Sequence, residues 1–484
     1  MRNVIVFLAL IVCGFAEEKK PNVLLIAIDD LNDWVGCIQG QGFVKTPNID
    51  RLAKRGMLFT NAHCQAPICG PSRASMMTGL LPSTTGIYGQ IKDDKIRQSN
   101  KVTKDIIFLP EYFTKHGYLT LGKGKIFHGF APKGVFKIAG GRAKGFGPYP
   151  AKRENWPTPE ILKNVFTKQK YRTSTNWGAF PDKDEKMPDY HTAEWAVEHL
   201  GKKYDKPFFM AVGFLRPHVP WHVPAKWYKD YPIKSIKLPP YKSDDLEDLP
   251  AISKRIHEMP QMPTAEWAKK SGKWPEIIQS YLACITFVDD CVGKVLEALD
   301  KSEHAKNTIV ILYSDHGYHM GEKNRFAKHS LWERATKVPL IISVPGGKNG
   351  VCKKPVGLID LYPTLLELCK LPAYKRNEGH SVKSLLSNPE GEWKYAALTT
   401  YVKNNHAVRT ERYRYIKYQD GSEELYDHKT DPNEWNNLAG KSEFSELKKK
   451  LQEHLPKVNV PWTKHSYYLT NDFFKEVMKN RKKR

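Results

Sequence analysis

The chain has 484 residues, of which 76 are Lys or Arg and 52 are Asp or Glu, giving a formal charge of +24. That length exceeds one ordinary domain and suits a large unit with a smaller one, while the charge favours a polyanionic partner. The sequence carries no zinc finger, RRM signature or aromatic-basic platform, which argues against nucleic acid, and beyond its start no run approaches the roughly 18–20 apolar residues of a membrane helix.

Met1-Arg2-Asn3, the apolar run Val4 to Phe15, and Ala16 before Glu17-Glu18-Lys19-Lys20 read as a secretory signal peptide over 1–16, predicting a secreted or periplasmic protein. Lipoprotein anchoring at Cys13 is the weaker alternative, because Ile11 and Val12 stand where small residues are expected. Asn22 to Ile28 is a continuous apolar run, the pattern of a parallel strand buried on both faces, and it ends in Asp29-Asp30. Thr46 to Gly56 predicts a short helix from the spacing of Ile49, Leu52 and Ala53, and Met57 to Thr60 a strand. Pro71 suits the first turn of a helix over 72–77, which would direct free backbone N–H groups from behind Cys69 toward an anion.

Asp105 to Gly117 predicts a helix, and Tyr118 to Leu121 a strand entering Gly122–His128. The Gly-, Pro- and Lys-rich stretch from Gly129 to Asp189 reads as surface excursions that shape a pocket. Pro207 to Phe214 predicts a buried strand ahead of Pro217-His218 and Trp221-His222. Tyr281 to Leu299 predicts an amphipathic helix through Ile285, Val288, Val292 and Leu296, and Asn307 to Ser314 a strand closing on Asp315-His316. Strands alternating with helices indicate α/β architecture, in which ligands gather beyond strand C-termini, so the two acidic pairs can meet. Leu358 to Leu368 predicts a helix and His406 to Lys417 short antiparallel strands, giving a large unit over 17–374 and a smaller α+β unit over 375–484 that ends in the basic cluster Lys479 to Arg484. Cys37, Cys64, Cys284, Cys291, Cys352 and Cys369 contain no Cys-x-x-Cys pair, so a zinc ribbon is not indicated and one or two disulfides stay open.

Between the acidic pairs lies Cys69-Gly70-Pro71-Ser72-Arg73. It resembles the Cys-x-Pro-x-Arg signal of type I sulfatases, in which the cysteine is oxidised after translation to formylglycine. With Asn22–Asp30, Thr46–Gly56, Gly124–His128, Pro217–Pro220, Asp315–Gly317 and Leu425–Glu434, the chain resembles the alkaline-phosphatase-like sulfatase superfamily, and more narrowly the iduronate-2-sulfatase-like enzymes, over about residues 20–450. The resemblance implies a large mixed central sheet flanked by helices, with a smaller C-terminal α+β domain. It also implies a divalent metal, usually Ca²⁺, held by Asp29, Asp30, Asp315 and His316 together with the formylglycine from Cys69, and a formylglycine-generating or other maturating enzyme as partner. Carried over residue by residue, Arg73 orients the hydrated aldehyde, and Lys125 and Lys328 grip sulfate oxygens. His128 contacts the diol, and His218 faces the leaving oxygen, where it or Lys328 assists departure of the alcohol.

The narrow match implies 2-O-sulfate on a uronic acid of a sulfated oligosaccharide or polysaccharide as substrate, with marine polysaccharides such as ulvan, fucoidan or carrageenan as alternatives. A phosphatase or phosphonate hydrolase of the same superfamily is a further alternative, although an alkaline-type phosphatase would present Ser or Thr where Cys69 stands. A noncatalytic polyanion-binding protein would account for the charge alone. His222, His319 and His329 are open as pocket residues or structural histidines, and Trp34, Trp221 and Trp332 as sugar platforms or packed core.

Overall fold

The apolar run at the start of the chain becomes the strand Asn22–Asp29, with every residue buried. In this computed structural model the described residues are 19–38, 44–152, 154–155, 175–259 and 262–467; the signal-peptide reading, Cys13 and the basic cluster at 479–484 lie outside them. Asn22–Asp29 sits inside a nine-stranded sheet ordered Gly350–Cys352, Met57–His63, Lys337–Ser343, Thr308–Ser314, Asn22–Asp29, Phe208–Pro217, Leu119–Gly124, Ile138–Gly141, with Val356–Gly357 also pairing to Met57–His63. Only Lys337–Ser343 is antiparallel to its neighbours. The strands at 22–29, 57–63, 119–124, 208–217 and 308–314 therefore all end at one edge. Because the reversed strand begins at that edge, with Lys337 opposite His63, the segment 315–336 begins and ends there too.

Both faces of the sheet are covered, which explains the unbroken hydrophobicity of its central strands. Leu24, Ile26 and Ile28 enter a core under the helices Pro47–Lys54, Pro188–Leu200 and Trp274–Lys301, whereas Val23, Leu25 and Ala27 enter a second core with Cys69–Thr78, Leu109–Lys115 and Leu361–Leu368. The long helix starts at Trp274 rather than Tyr281, because Pro275 occupies its first turn and Ile277 and Ile278 add a further buried turn. Its buried Asp289 accepts the backbone N–H groups of Ile49 at 2.8 Å and Asn48 at 3.1 Å, capping the helix that begins at Pro47. The helix expected over 105–117 is limited to Leu109–Lys115.

The stretch 129–189 is more than surface excursion. Ile138–Gly141 adds an edge to the main sheet, and Asn176–Ala179 joins Glu154–Asn155 and Trp221–Val223 in a three-stranded sheet. Single-strand patterning misses such short elements, whose partners lie far along the chain. Toward the C-terminus, Ala397–Thr400, His406–Arg409, Tyr413–Lys417 and Glu423–Asp427 form an antiparallel meander. A buried charge network ties it to the segment before the reversed strand: Arg409 Nε lies 3.0 Å from Glu333 Oε2, and Arg414 reaches Glu333 and, at 2.7 Å, Glu434 Oε1. Burial would raise the Glu333 carboxyl, but Arg409, His428 and Arg414 hold it well below its ordinary range. The described cysteines are all free, so neither open disulfide forms among them. No helix of the described residues is long and apolar enough to cross a membrane.

Candidate active site

The site forms where the parallel strands end. A register shift between Ile28 and Asp29 pairs Asp29 with Pro217, and Asp30 adopts φ 61°, a left-handed conformation that aspartate tolerates better than most residues. Lys125 follows the strand Leu119–Gly124 and donates its backbone N–H to Gly213 O at 2.9 Å. That approach requires glycine on both strands: a Cβ on Gly124 would stand 2.0 Å from Gly213 O, and one on Gly213 would stand 2.3 Å from the carbonyl carbon of Lys125.

Cys69 is the first residue of the helix Cys69–Thr78, which is buried along its whole length. The expected row of free amides is largely spent. Gly70 N–H donates to Gln90 Oε1 at 2.9 Å, Pro71 has no donor, and Ser72 N–H closes on Ile68 O at 3.1 Å. The positive field around Cys69 comes mainly from side chains. Lys328 Nζ and His316 Nε2 each lie 3.2 Å from the Cys69 sulfur. Burial alone would push the thiol up, but Lys125, Lys328 and His316, with a contribution from His128, hold it well below its ordinary range.

The acidic residues are interlocked with the basic ones. Lys125 Nζ donates to Asp29 Oδ2, and Lys328 Nζ to Asp30 Oδ1 at 2.6 Å. Arg73 forks between Asp315 Oδ2 at 2.8 Å and Asp29 Oδ1 at 3.2 Å, and also donates to the carbonyls of Lys125 and, at 3.2 Å, Ile126. In this arrangement Arg73 positions the carboxylates rather than contacting the Cys69 sulfur. Asp29 is held low, because Lys125, His218 and Arg73 outweigh its burial; Asp315 is raised, with burial outweighing Arg73 and His316. His218 Nε2 lies 3.8 Å from Asp30 Oδ2.

Ligand atoms of Asp29, Asp30, Cys69 and His316 all lie within 4.8 Å of one another. Asp30 Oδ2 is buried with no hydrogen-bond partner, the signature of a polar atom shaped for a group other than the chain itself. His316 Nδ1 contacts Gly317 O at 3.0 Å, which turns Nε2 toward the cluster. Burial would lower the imidazole, yet Asp315, Cys69 and Asp30 push it up to about 9, so a metal and a proton compete for the same nitrogen. Asp315 borders the cluster with Oδ2 on Arg73 and Oδ1 accepting the Asp30 N–H at 3.2 Å. The residues thus fit a divalent cation, and exchange of the soft Cys69 sulfur for an oxygen donor would suit a hard cation such as Ca²⁺ better.

All ten residues singled out in the sequence, Asp29, Asp30, Cys69, Arg73, Lys125, His128, His218, Asp315, His316 and Lys328, fall in or beside this cluster. Two of the three uncertain histidines have other engagements. His222 contacts Asn176 Oδ1 at 2.7 Å and Gly178 O at 2.8 Å, and His319 Nε2 contacts Ser330 Oγ at 2.8 Å. Burial drives His329 and His319 well below the ordinary imidazole range. Trp34, Trp221 and Trp332 are packed core: Trp34 and Trp221 meet Tyr281 edge-on, and Trp332 Nε1 donates to Glu424 Oε2 at 2.8 Å. Sequence reading missed Asp93, whose carboxylate accepts the backbone N–H groups of His128 at 3.3 Å and Gly129 at 2.6 Å and so holds His128 in place. It also missed Arg142, Phe146 and Arg216, which no motif marks.

Lys125→Ala removes a fully buried cation shared by Asp29 and the Cys69 position. It is expected to lower kcat by roughly 10²–10³-fold with a smaller change in KM, the pattern of lost transition-state charge stabilisation. Steady-state kinetics on one sulfate ester checks this, and a rise in KM alone would assign Lys125 to ground-state binding.

Comparison with known proteins gives concordant matches. The family model described as Sulfatase matches residues 21–371, and the model described as N-sulphoglucosamine sulphohydrolase, C-terminal, matches residues 321–460. A protein named Sulfatase from Formosa agariphila is 53% identical over 465 residues, covering 95% of this chain and 91% of its own. Human iduronate 2-sulfatase is 33% identical over 337 residues; the match spans 67% of this chain and 60% of the human protein. The phosphonate monoester hydrolase of Agrobacterium radiobacter shares the fold at a TM-score of 0.69 and 21% identity, over 90% of this chain and 96% of its own.

Proposed function

The chain belongs to the sulfatase family, and from that premise we propose that it removes 2-O-sulfate from a uronic acid of a sulfated glycan, using a formylglycine made from Cys69. Sulfate-ester hydrolysis itself follows from the family. The acidic-sugar substrate is supported by the partial likeness to human iduronate 2-sulfatase and by the +24 charge, which suits a polyanion. The observation that carries the reading is the convergence of Lys328 and His316 on the Cys69 sulfur beside two buried aspartates.

The hydrated aldehyde would supply an oxygen nucleophile and, in its second hydroxyl, a route for expelling sulfate. A divalent cation held by Asp29, Asp30, His316 and the group at position 69, with Asp315 beside them, would supply Lewis-acid polarisation of the ester. The chain's own side chains do the rest. Lys125 Nζ and Lys328 Nζ hold sulfate oxygens and offset the charge redistributed as the ester bond breaks. His218 Nε2 donates a proton to the leaving oxygen, and His128 takes a proton at position 69; burial favours its neutral form by lowering its pKa. Arg73 keeps Asp29 and Asp315 in register, and a maturating enzyme of the formylglycine-generating class acts on Cys69 beforehand.

Peptide mass spectrometry of protein exported by its native host tests the proposal at its root. Formylglycine or its hydrate is expected at position 69, together with release of sulfate from a 2-O-sulfated uronate disaccharide. Native protein that desulfates this sugar with an unmodified Cys69 would overturn the mechanism, and modified protein that leaves it untouched would overturn the substrate.

A further inference from the structure

Phe146 lies in the stretch read from sequence only as pocket-shaping excursions, yet its ring stacks on the His218 imidazole with centroids 4.0 Å apart and planes 7° from parallel. Lys125 Nζ is 4.8 Å from the same ring and the Arg142 guanidinium carbon 5.4 Å. Arg216 fixes this wall from the sheet edge: Nη1 donates to Phe146 O at 2.7 Å and His218 O at 3.2 Å, and Nε to His222 O at 3.1 Å. One clamped aromatic ring thereby joins His218 and Lys125 of the reaction site to a second cation, Arg142.

Arg142 makes no ion pair among the described residues. Its Nη1 donates to the carbonyls of His128 and, at 3.3 Å, Gly129, while Nε is buried with no hydrogen-bond partner. Burial lowers its pKa, and Asp29 and Asp93 oppose this only through space, without a hydrogen bond to it. A guanidinium stays charged at any physiological pH, so a half-buried one with an unsatisfied N–H is costly unless an anion completes it. The sulfate undergoing hydrolysis is already met by Lys125 and Lys328, which leaves Arg142 for a second anionic group on the same substrate.

We propose that Arg142 binds the carboxylate of the sugar that bears the scissile sulfate and is the residue that selects acidic over neutral sugars. This rests on the sulfated-uronate reading above and assigns its recognition to one side chain. A planar carboxylate matches the guanidinium fork, and Arg142 is anchored to the backbone of His128, so sugar recognition and the reacting group share one support.

The test compares kcat/KM for a 2-O-sulfated uronate disaccharide with that for its carboxyl-reduced counterpart, on enzyme carrying formylglycine. The parent is expected to prefer the acid by about 10- to 100-fold, the range of a charge-assisted hydrogen bond. Arg142→Gln should bring the ratio to within about threefold of unity, chiefly through KM, and Arg142→Lys should keep part of the preference. A folded Arg142→Gln with the parental ratio overturns the assignment and leaves the proposed function standing. Parent enzyme that desulfates neither sugar overturns the substrate reading and this inference together. Should Arg142→Gln fail to fold, Arg142→Lys decides: a ratio unchanged from the parent overturns the assignment, and a reduced one supports it.

Discussion

Replacing Cys69 with alanine is expected to lower sulfate-ester turnover on the order of 10⁵-fold and to shift the thermal midpoint by no more than about 4 °C. The sulfur is the atom on which Lys328 and His316 converge, and it belongs to the group of possible metal ligands, so its loss removes the proposed precursor of the nucleophile and a candidate ligand position at once. Little stability is lost. Cys69 is buried, but alanine leaves a void of one atom, and Lys328 and Lys125 keep Asp30 and Asp29 as their partners. Steady-state kinetics and calorimetry on the same preparation check both parts; turnover near the parental rate would mean that another side chain supplies the nucleophile.

Arg73→Ala is expected to abolish turnover and also to destabilise the fold by roughly 3–5 kcal/mol, the cost of removing one partner from a buried ion-pair network. Its motif position alone suggests loss of activity with little unfolding. The structure changes that expectation, because Arg73 is buried, bonds to Asp29 and Asp315, and donates to two backbone carbonyls that follow the Leu119–Gly124 strand. Among ion-pair partners, alanine would leave the buried carboxylate of Asp29 with Lys125 alone and that of Asp315 with only His316, 3.6 Å away. Added Ca²⁺ should recover part of the lost stability by neutralising them, which urea denaturation with and without the ion would measure. Equal stability of variant and parent in chelator would show that the carboxylates do not depend on Arg73.

Much of the site was legible because its residues sit at punctuation points. The run Asn22–Ile28 reads as a buried strand from hydrophobicity alone, and carboxylates directly after it stand at the strand's C-terminal edge in any parallel sheet; Asn307–Ser314 with Asp315-His316 repeats the pattern. Pro71 marks the helix start behind Cys69. Arg142 and Phe146 carry no such mark, since they lie in a Gly- and Pro-rich stretch and reach the site only through tertiary contacts with His128 and His218.

Sequence by itself determined the parallel strands, the acidic pairs at their ends and the Cys-x-Pro-x-Arg segment between them, because periodic hydrophobicity and local steric rules act over a few neighbouring residues. Tertiary structure alone decided how these parts meet. The single reversed strand Lys337–Ser343 returns the segment 315–336 to the site edge, bringing Lys328 to Asp30 across 298 positions of chain. The shift at Ile28/Asp29 and the left-handed turn at Asp30 bring the carboxylates within reach of Arg73 and Lys328. Paired glycines at 124 and 213 let Lys125 close on the neighbouring strand. Such contacts depend on strand order and backbone approach, which emerge only when distant segments pack against one another and which no local pattern encodes.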